Sequence, residues 1–278
     1  MRRLSLLPVS LLLGCMAPMA VSAQALTPLD RYWVAVGVYH SDNNLNIRVD
    51  GEDTVEGTNV SFQEDLGLGD EELAFVYDVG MTLGRNHQIA VTGHRYDNSA
   101  HNTLERELDI NDESYAVGAA FKGNMEVETT AVSYTWFLFR NDEHTAFGLG
   151  LGAVHYSLGV DLAATATVDN EGVPGTVEVG MDFHDSAWLP MGRVQYTRVI
   201  NDQWRWNVEL AGVWKGSGSV TGRAVDASVS VDYFPWKNFG FTLQYSYDDI
   251  RLDYEKSNYR GKLDLINQGP QIKAVVKF

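Results

Sequence analysis

Three stretches carry residue types that could do chemistry. Asp182-Phe183-His184-Asp185 sets a carboxylate and an imidazole two residues apart. On an extended backbone, residues two apart share a face, so Asp182 could orient His184 as a general base that activates water. His40-Ser41-Asp42 and Asp97-Asn98-Ser99-Ala100-His101 hold the residue types of a hydrolase triad. Strand neighbours point to opposite faces, however, so His40 and Ser41 cannot pair directly. Asp50 to Glu72 is acidic throughout, from Glu52, Asp53 and Glu56 to Asp70 and Glu71, with no lysine or arginine. Oxygen ligands at this density suit Ca²⁺ or Mg²⁺, but the spacing is not that of an EF-hand loop, and a solvated acidic loop has the same composition. The histidines at 40, 87, 94, 101, 144, 155 and 184 stand singly, none at metal-ligand spacing from another. No metal and no cofactor are expected.

Composition narrows what could position these groups. Lysine and arginine number 21 against 37 acids, a formal charge of −16. That balance argues against a nucleic-acid binder, which needs a basic surface for phosphates. A single cysteine, Cys15, excludes a disulfide framework and a Cys-rich zinc site. At 45% hydrophobic residues the chain is too apolar to stay disordered.

The first segment reads as an address. Arg2 and Arg3 precede the apolar stretch Leu4 to Gly14, and small residues lead to Val21-Ser22-Ala23. This is the layout of a secretory signal peptide over 1–23, with Ala23-Gln24-Ala25 as the alternative cleavage site and one domain over 24–278. Leu12-Leu13-Gly14-Cys15 is similar to a lipoprotein processing box, although Leu13 stands where a small residue is usual. Removal of 1–23 takes away two basic residues and the only cysteine, leaving a charge of −18.

Beyond residue 30 the dominant period is two. Phe239 to Tyr247 alternates large apolar with small or polar residues, and so do Trp204 to Leu210, Ala227 to Tyr233 and Ile272 to Phe278. Each such stretch is a strand with one apolar and one polar side. Ten segments are expected, at 31–49, 71–84, 87–109, 125–140, 144–168, 176–200, 203–216, 222–234, 238–256 and 260–278. Short turns (Gly84-Arg85-Asn86, Arg140-Asn141-Asp142, Ile200-Asn201-Asp202, Pro235-Trp236-Lys237) alternate with mostly longer links.

The expected fold is an all-β, up-and-down antiparallel transmembrane barrel of about ten strands, with eight or twelve as alternatives. Many segments exceed the ~9–11 residues that a tilted strand needs to cross a bilayer. Aromatics at segment ends, namely Trp33, Tyr134, Trp136, Trp188, Trp204, Trp206, Tyr233 and Trp236, are expected to form interfacial girdles. The apolar faces then meet lipid and the polar faces line the lumen. Asp78, His94, Arg193, Arg205, Glu209, Asp232, Asp248 and Lys273 are the expected lining, with Lys215, Asp226 and Lys277 on the same faces. Opposite charges are expected to pair across the barrel, and Gly148, Gly150 and Gly152 to make room for bulky side chains from across it.

The end of the chain, with Ile272, Ala274, Val276 and Phe278 on one face, resembles the carboxy-terminal assembly signal of bacterial outer-membrane barrels; Gly269 lies further from the end than the usual glycine. Asp65-Leu66-Gly67-Leu68, Phe137 to Asp142, Gly148 to Gly152 and Tyr259 to Asp264 leading into Gly269-Pro270 are similar to stretches of a widespread, poorly characterised group of proteobacterial outer-membrane β-barrel proteins. That resemblance implies a place in the cell outer membrane. The implied partners are membrane lipid, lipopolysaccharide, the barrel assembly machinery and a possible small solute. It implies no catalytic residue. Asp182 and His184 are also placed like an Asp and His of the omptin proteases, ten-stranded barrels that need a second acidic pair on the facing wall. Asp42, Asp97 and Asp109 are candidates for that pair, but the other omptin stretches are missing.

The leading expectation is a narrow porin-like or structural barrel for small solutes. The alternatives are an adhesion or lipopolysaccharide-binding protein working through its outer loops, and a hydrolase using Asp182 and His184.

Overall fold

The computed structural model describes residues 25–50, 59–61, 63–65, 67, 69, 71–103, 108–110, 113–115, 120–139, 144–170, 173–216, 218, 220–255 and 260–278. The expected signal peptide with Cys15, most of the acidic loop, the turn at Arg140-Asn141-Asp142 and Tyr259 lie outside these residues.

The strands are β1 (Tyr32–Asp50), β2 (Asn59–Ser61), β3 (Glu71–Leu83), β4 (His87–Thr103), β5 (Leu108–Ile110), β6 (Glu113–Tyr115), β7 (Ala120–Phe139), β8 (Thr145–Asn170), β9 (Val173–Val199), β10 (Trp204–Lys215), β11 (Val220–Tyr233), β12 (Phe239–Glu255) and β13 (Arg260–Lys277). Ten of them, β1, β3, β4 and β7 to β13, pair in sequence order, and β13 returns to pair with β1. All pairings are antiparallel, from Trp33↔Lys277 to Asp50↔Arg260 at the closing seam. Closure leaves the ring without a free sheet edge and satisfies the ladder groups internally, the condition for crossing lipid. The expected segment 87–109 is two elements, because β4 stops at Thr103 and residues 108–110 form a small separate hairpin with 113–115.

Sequence alternation translates into two surfaces. Along β1, Val34, Val36 and Val38 are exposed while Ala35, Tyr39 and Ser41 are buried. Along β12, Phe241, Leu243 and Tyr245 face out while Thr242 and Ser246 face in. The outward apolar residues make a belt, with Trp136, Trp204 and Trp236 exposed towards the rim that carries the start of β1, the end of β13 and the described tight turns. Ile272 and Phe278 are exposed on this belt, and Ala274 and Val276 on the same parity are half-buried.

Trp33 departs from the expected girdle. Its parity is that of the buried Ala35, so the ring turns inward and its indole Nε1 donates to Asp78 at 2.8 Å. Gly80 makes this possible, because a Cβ there would meet the Trp33 ring at 2.1 Å.

The interior is not polar along its whole height. Towards the far rim the buried side chains form an apolar core that includes Leu45, Tyr96, Met125, Val127, Leu158, Ile250, Leu252, Leu263 and Leu265. Val60 of β2 folds into the same cluster. Tyr39, Asn43 and Asn267 mark the boundary between the two zones. The Tyr39 hydroxyl donates to Asn267 Oδ1 at 2.7 Å, and Ser41 bonds both asparagines.

Candidate functional site

In the half of the barrel nearer the start of β1 and the end of β13, the inward polar side chains line a cavity of about 240 Å³. Asp78, His94, Arg193, Arg205, Glu209, Asp226, Asp232, Asp248 and Lys273 line it. The apolar residues of its upper wall are Val76, Ala131, Val154, Met191, Ala211, Val213 and Ala224. Lys215 and Lys277 do not line it; Lys277 pairs at the rim with Asp30, at 3.3 Å.

Strand alternation explains how these groups converge. On β10, Arg205, Asn207 and Glu209 follow at intervals of two; on β11, Asp226, Ser228, Ser230 and Asp232 do the same. The register sets Arg205 opposite Asp232, and Glu209 opposite Ser228. Arg205 Nε donates to Asp232 at 2.8 Å, and Asp232 also accepts from Asn207 at 3.1 Å and Thr242 at 2.6 Å. Arg193 pairs with Glu209 and bonds Ser133. Lys273 donates to Gln244 at 2.8 Å.

The oppositely charged partners sit on neighbouring strands, not across the barrel as expected, and Arg193 reaches Ser133 over the intervening strand β8. Adjacent strands bring side chains within direct reach, whereas pairs across the bore must span the cavity. The glycines act at the same short range. A Cβ on Gly150 would lie 2.6 Å from Arg193 Cγ, and one on Gly152 would lie 3.0 Å from Met191 Cε, both side chains being on the next strand. Arg193 Nε and Gln195 Oε1 are buried with no hydrogen-bond partner among the described residues, as befits polar atoms facing a polar cavity.

The cavity's charges do not cancel. Arg193 and Lys273 stand against Asp78, Glu209, Asp226 and Asp248, and the last two carboxylates are cross-strand partners. Arg205 is matched by Asp232 and Asp30. Acidic side chains thus outnumber basic ones along its wall.

The lower end of the cavity is closed by a segment that strand reasoning passed over. Residues 26–30 precede β1, and Pro28 and Asp30 line the cavity. Leu26 is buried with Ala35, Val199, Phe234 and Val275, and Leu29 with Phe137 and Ala146. The signal for this segment was present as two leucines and an aspartate without alternation, just beyond the expected leader.

The hydrolase candidates lie elsewhere. His184 is exposed on β9, away from the inward residues Leu189, Met191 and Arg193 of that strand, and residue 182 is two rungs further along it. Both belong to the part of β9 that extends past its last rung with β10, Met191↔Val213. His40 is exposed and Ser41 buried, on opposite faces as strand geometry requires. Of the acids considered for a second pair, Asp42 and Asp97 are exposed on β1 and β4. Among the described residues no group of three His, Cys, Asp or Glu is placed to hold a metal ion.

No family model matches this chain, and no curated protein does. Among solved structures it is similar to the outer membrane protease OmpT from Escherichia coli, at 9% identity and a TM-score of 0.48, over 92% of this chain and 100% of that one. It is also similar to the Pseudomonas putida toluene transporter TodX, at 8% identity and a TM-score of 0.34, over 90% of both chains. A third is Ail, the attachment invasion locus protein of Yersinia pestis, at 8% identity and a TM-score of 0.26, over 87% of this chain and 99% of that one. All three resemble this chain as barrels, at identities too low to transfer the role of any residue.

Proposed function

We propose that this chain is a barrel of the bacterial outer membrane that holds a narrow, closed passage for small hydrophilic solutes, with a preference for cations. The observation that carries the reading is the polar cavity at the level of the apolar belt, where a purely structural barrel could have filled its bore with apolar side chains. The outward belt and its aromatic rim support the membrane location. The rim with the tight turns, the start of β1 and the end of β13 corresponds to the periplasmic side, which puts the apolar core at the cell surface.

Selectivity in such a barrel comes from size and field, not from covalent chemistry. A solute would meet the acid-rich wall of Asp78, Glu209, Asp226 and Asp248 in the cavity, and the apolar core as a dewetting barrier above it. The test is single-channel recording of the refolded protein in a planar bilayer, with the heat-modifiable gel shift as folding control. Rare, small, cation-selective openings are expected. A folded barrel that never opens under any applied potential overturns the reading.

A second reading, adhesion or lipopolysaccharide binding, is favoured by one specific observation. The β8–β9 hairpin runs from Met191 to Val173 beyond the last β9–β10 rung, so it stands above the neighbouring β10–β11 hairpin. Deleting residues 163–181 separates the two readings: a passage keeps its conductance, and an adhesin loses binding to cells.

A further inference from the structure

Residues 26–31 belong mostly to no strand, yet they fill the lower mouth of the barrel. The six residues packed on Leu26 and Leu29 come from β1, β7, β8, β9 and β13 and from Phe234 just after β11. Two leucines three positions apart therefore belong to apolar clusters drawn from several strands around the mouth. The polar contacts converge on a single guanidinium. Arg205 pairs through Nη2 with Asp30 at 2.7 Å and donates through Nη1 to the carbonyls of Thr27 and Pro28 at 3.1 and 3.4 Å. Its Nε holds Asp232 of the wall, and its plane lies 5.6 Å from the Phe234 ring centre. Lys277 adds a second cation, 3.3 Å from Asp30 and 4.1 Å from the same ring.

This is a seal of a particular kind. Residues 26–29 make their recorded wall contacts through two leucine side chains and the carbonyls that Arg205 holds. Continuous wall pairing resumes only where Thr82 takes the carbonyls of Asp30 and Arg31, at 2.7 and 2.8 Å. A segment so held can leave without breaking a rung of the barrel, with Arg31, whose carbonyl Thr82 holds, as the hinge.

We infer that residues 26–30 are a removable plug at the periplasmic mouth, with Arg205 as the latch that ties plug to wall. The inference rests on the cavity being a solute compartment, and it assigns that compartment its inner gate. The outer apolar core is a second barrier in series, so releasing the plug opens the cavity to one side without making a through-pore.

The test therefore reads access, which can rise whether or not the barrel conducts. Ser228 lines the cavity between Asp226 and Ser230 on β11. Protein carrying Cys15→Ala and Ser228→Cys is purified from membranes and labelled with a small cationic methanethiosulfonate. The intact plug should give slow labelling. Adding Leu26→Ser, Leu29→Ser and Asp30→Asn should raise the rate at least about tenfold, the least that losing one buried leucine's transfer energy supplies. Asp30→Asn alone should give a smaller rise. Equal rates with and without the plug substitutions overturn the inference, and so does fast labelling of the intact protein. If the triple variant shows no folded gel shift, Asp30→Asn decides, because it leaves both leucines and the whole wall in place.

Discussion

The two halves of this barrel close their bore by opposite means. Near the start of β1 and the end of β13 the outside is apolar and the inside polar, and the mouth is stopped by a short segment tied to Arg205. Near the far rim the inside is apolar, with Leu45, Leu263 and Leu265 buried, while Asn44, Lys262 and Asp264 face out. The first half is patterned for lipid outside and water inside; the second is patterned like a soluble β-sandwich, with its core where the lumen would be. On the proposed membrane placement, the difference marks where the bilayer ends. A polar half needs its charges matched or solvated, and its seal can be reversible because few groups hold it. An apolar half seals by packing, which cannot open at one point without leaving a void.

The largest effect is expected where the reversible seal is anchored. Arg205→Ala leaves Asp30 and Asp232 facing each other without the cation that bonds both. Breaking a buried ion pair by removing one partner costs about 3–5 kcal/mol. Urea-refolding midpoints in detergent micelles measure this loss. A loss below about 1 kcal/mol would show that Lys277, Asn207 and Thr242 suffice without the guanidinium.

The next effect belongs to the packed seal. Leu45 is fully buried and pairs in register with Leu265. Leu45→Ala should cost about 2–5 kcal/mol, with the value set by how far the cluster collapses. The same measurement on Lys262→Ala, exposed one position from Leu263, should show almost no change. If the two are equal, the far half is not a core and the comparison fails.

Much of this was legible in the sequence, and the part that was not has a physical cause. Period-two alternation located the ten barrel strands, eight of them to within three residues at each end, while β4 ends six residues before the expected bound and β7 begins five before it. The inward residues of the polar half followed from parity alone, from Asp78 on β3 to Lys273 on β13. What escaped was the change of phase. In β13 the apolar residues are odd at Leu263 and Leu265 and even at Ile272, Ala274 and Val276, with no bulge between them. The backbone keeps its faces while the apolar set moves to the other side, as the proposed passage of the outer surface from lipid to water requires. The same switch occurs in β1 between Val38 and Leu45, and in β12 between Tyr247 and Ile250. Reading each strand as a single alternation merged the two halves and made the whole lumen polar. Trp33 was misplaced for a related reason, because an aromatic at a strand end suits a girdle unless its parity is checked. The plug was missed because it has no periodicity.

The smallest of the three effects tests the lower half on its lipid side. Leu210 faces out on β10, six positions above the rim tryptophan Trp204 and half exposed at 51%. Leu210→Arg puts a charge into the belt and should cost about 2–4 kcal/mol if that position lies near the midplane. Sequence alone suggests Asn207→Arg as the tolerated control, but Asn207 is bonded to Thr197, Ser230 and Asp232, so its loss has a cost of its own. Ser228→Lys is the better control. Its backbone neighbours are Glu209 and Ser246 on the flanking strands, and its side chain enters the acid-rich cavity. The added ammonium should leave assembly intact and lower cation selectivity, because it offsets one of the uncompensated carboxylates. If Ser228→Lys blocks assembly as strongly as Leu210→Arg, the polar half is not a solvated compartment, and the contrast between the two halves reduces to one of composition.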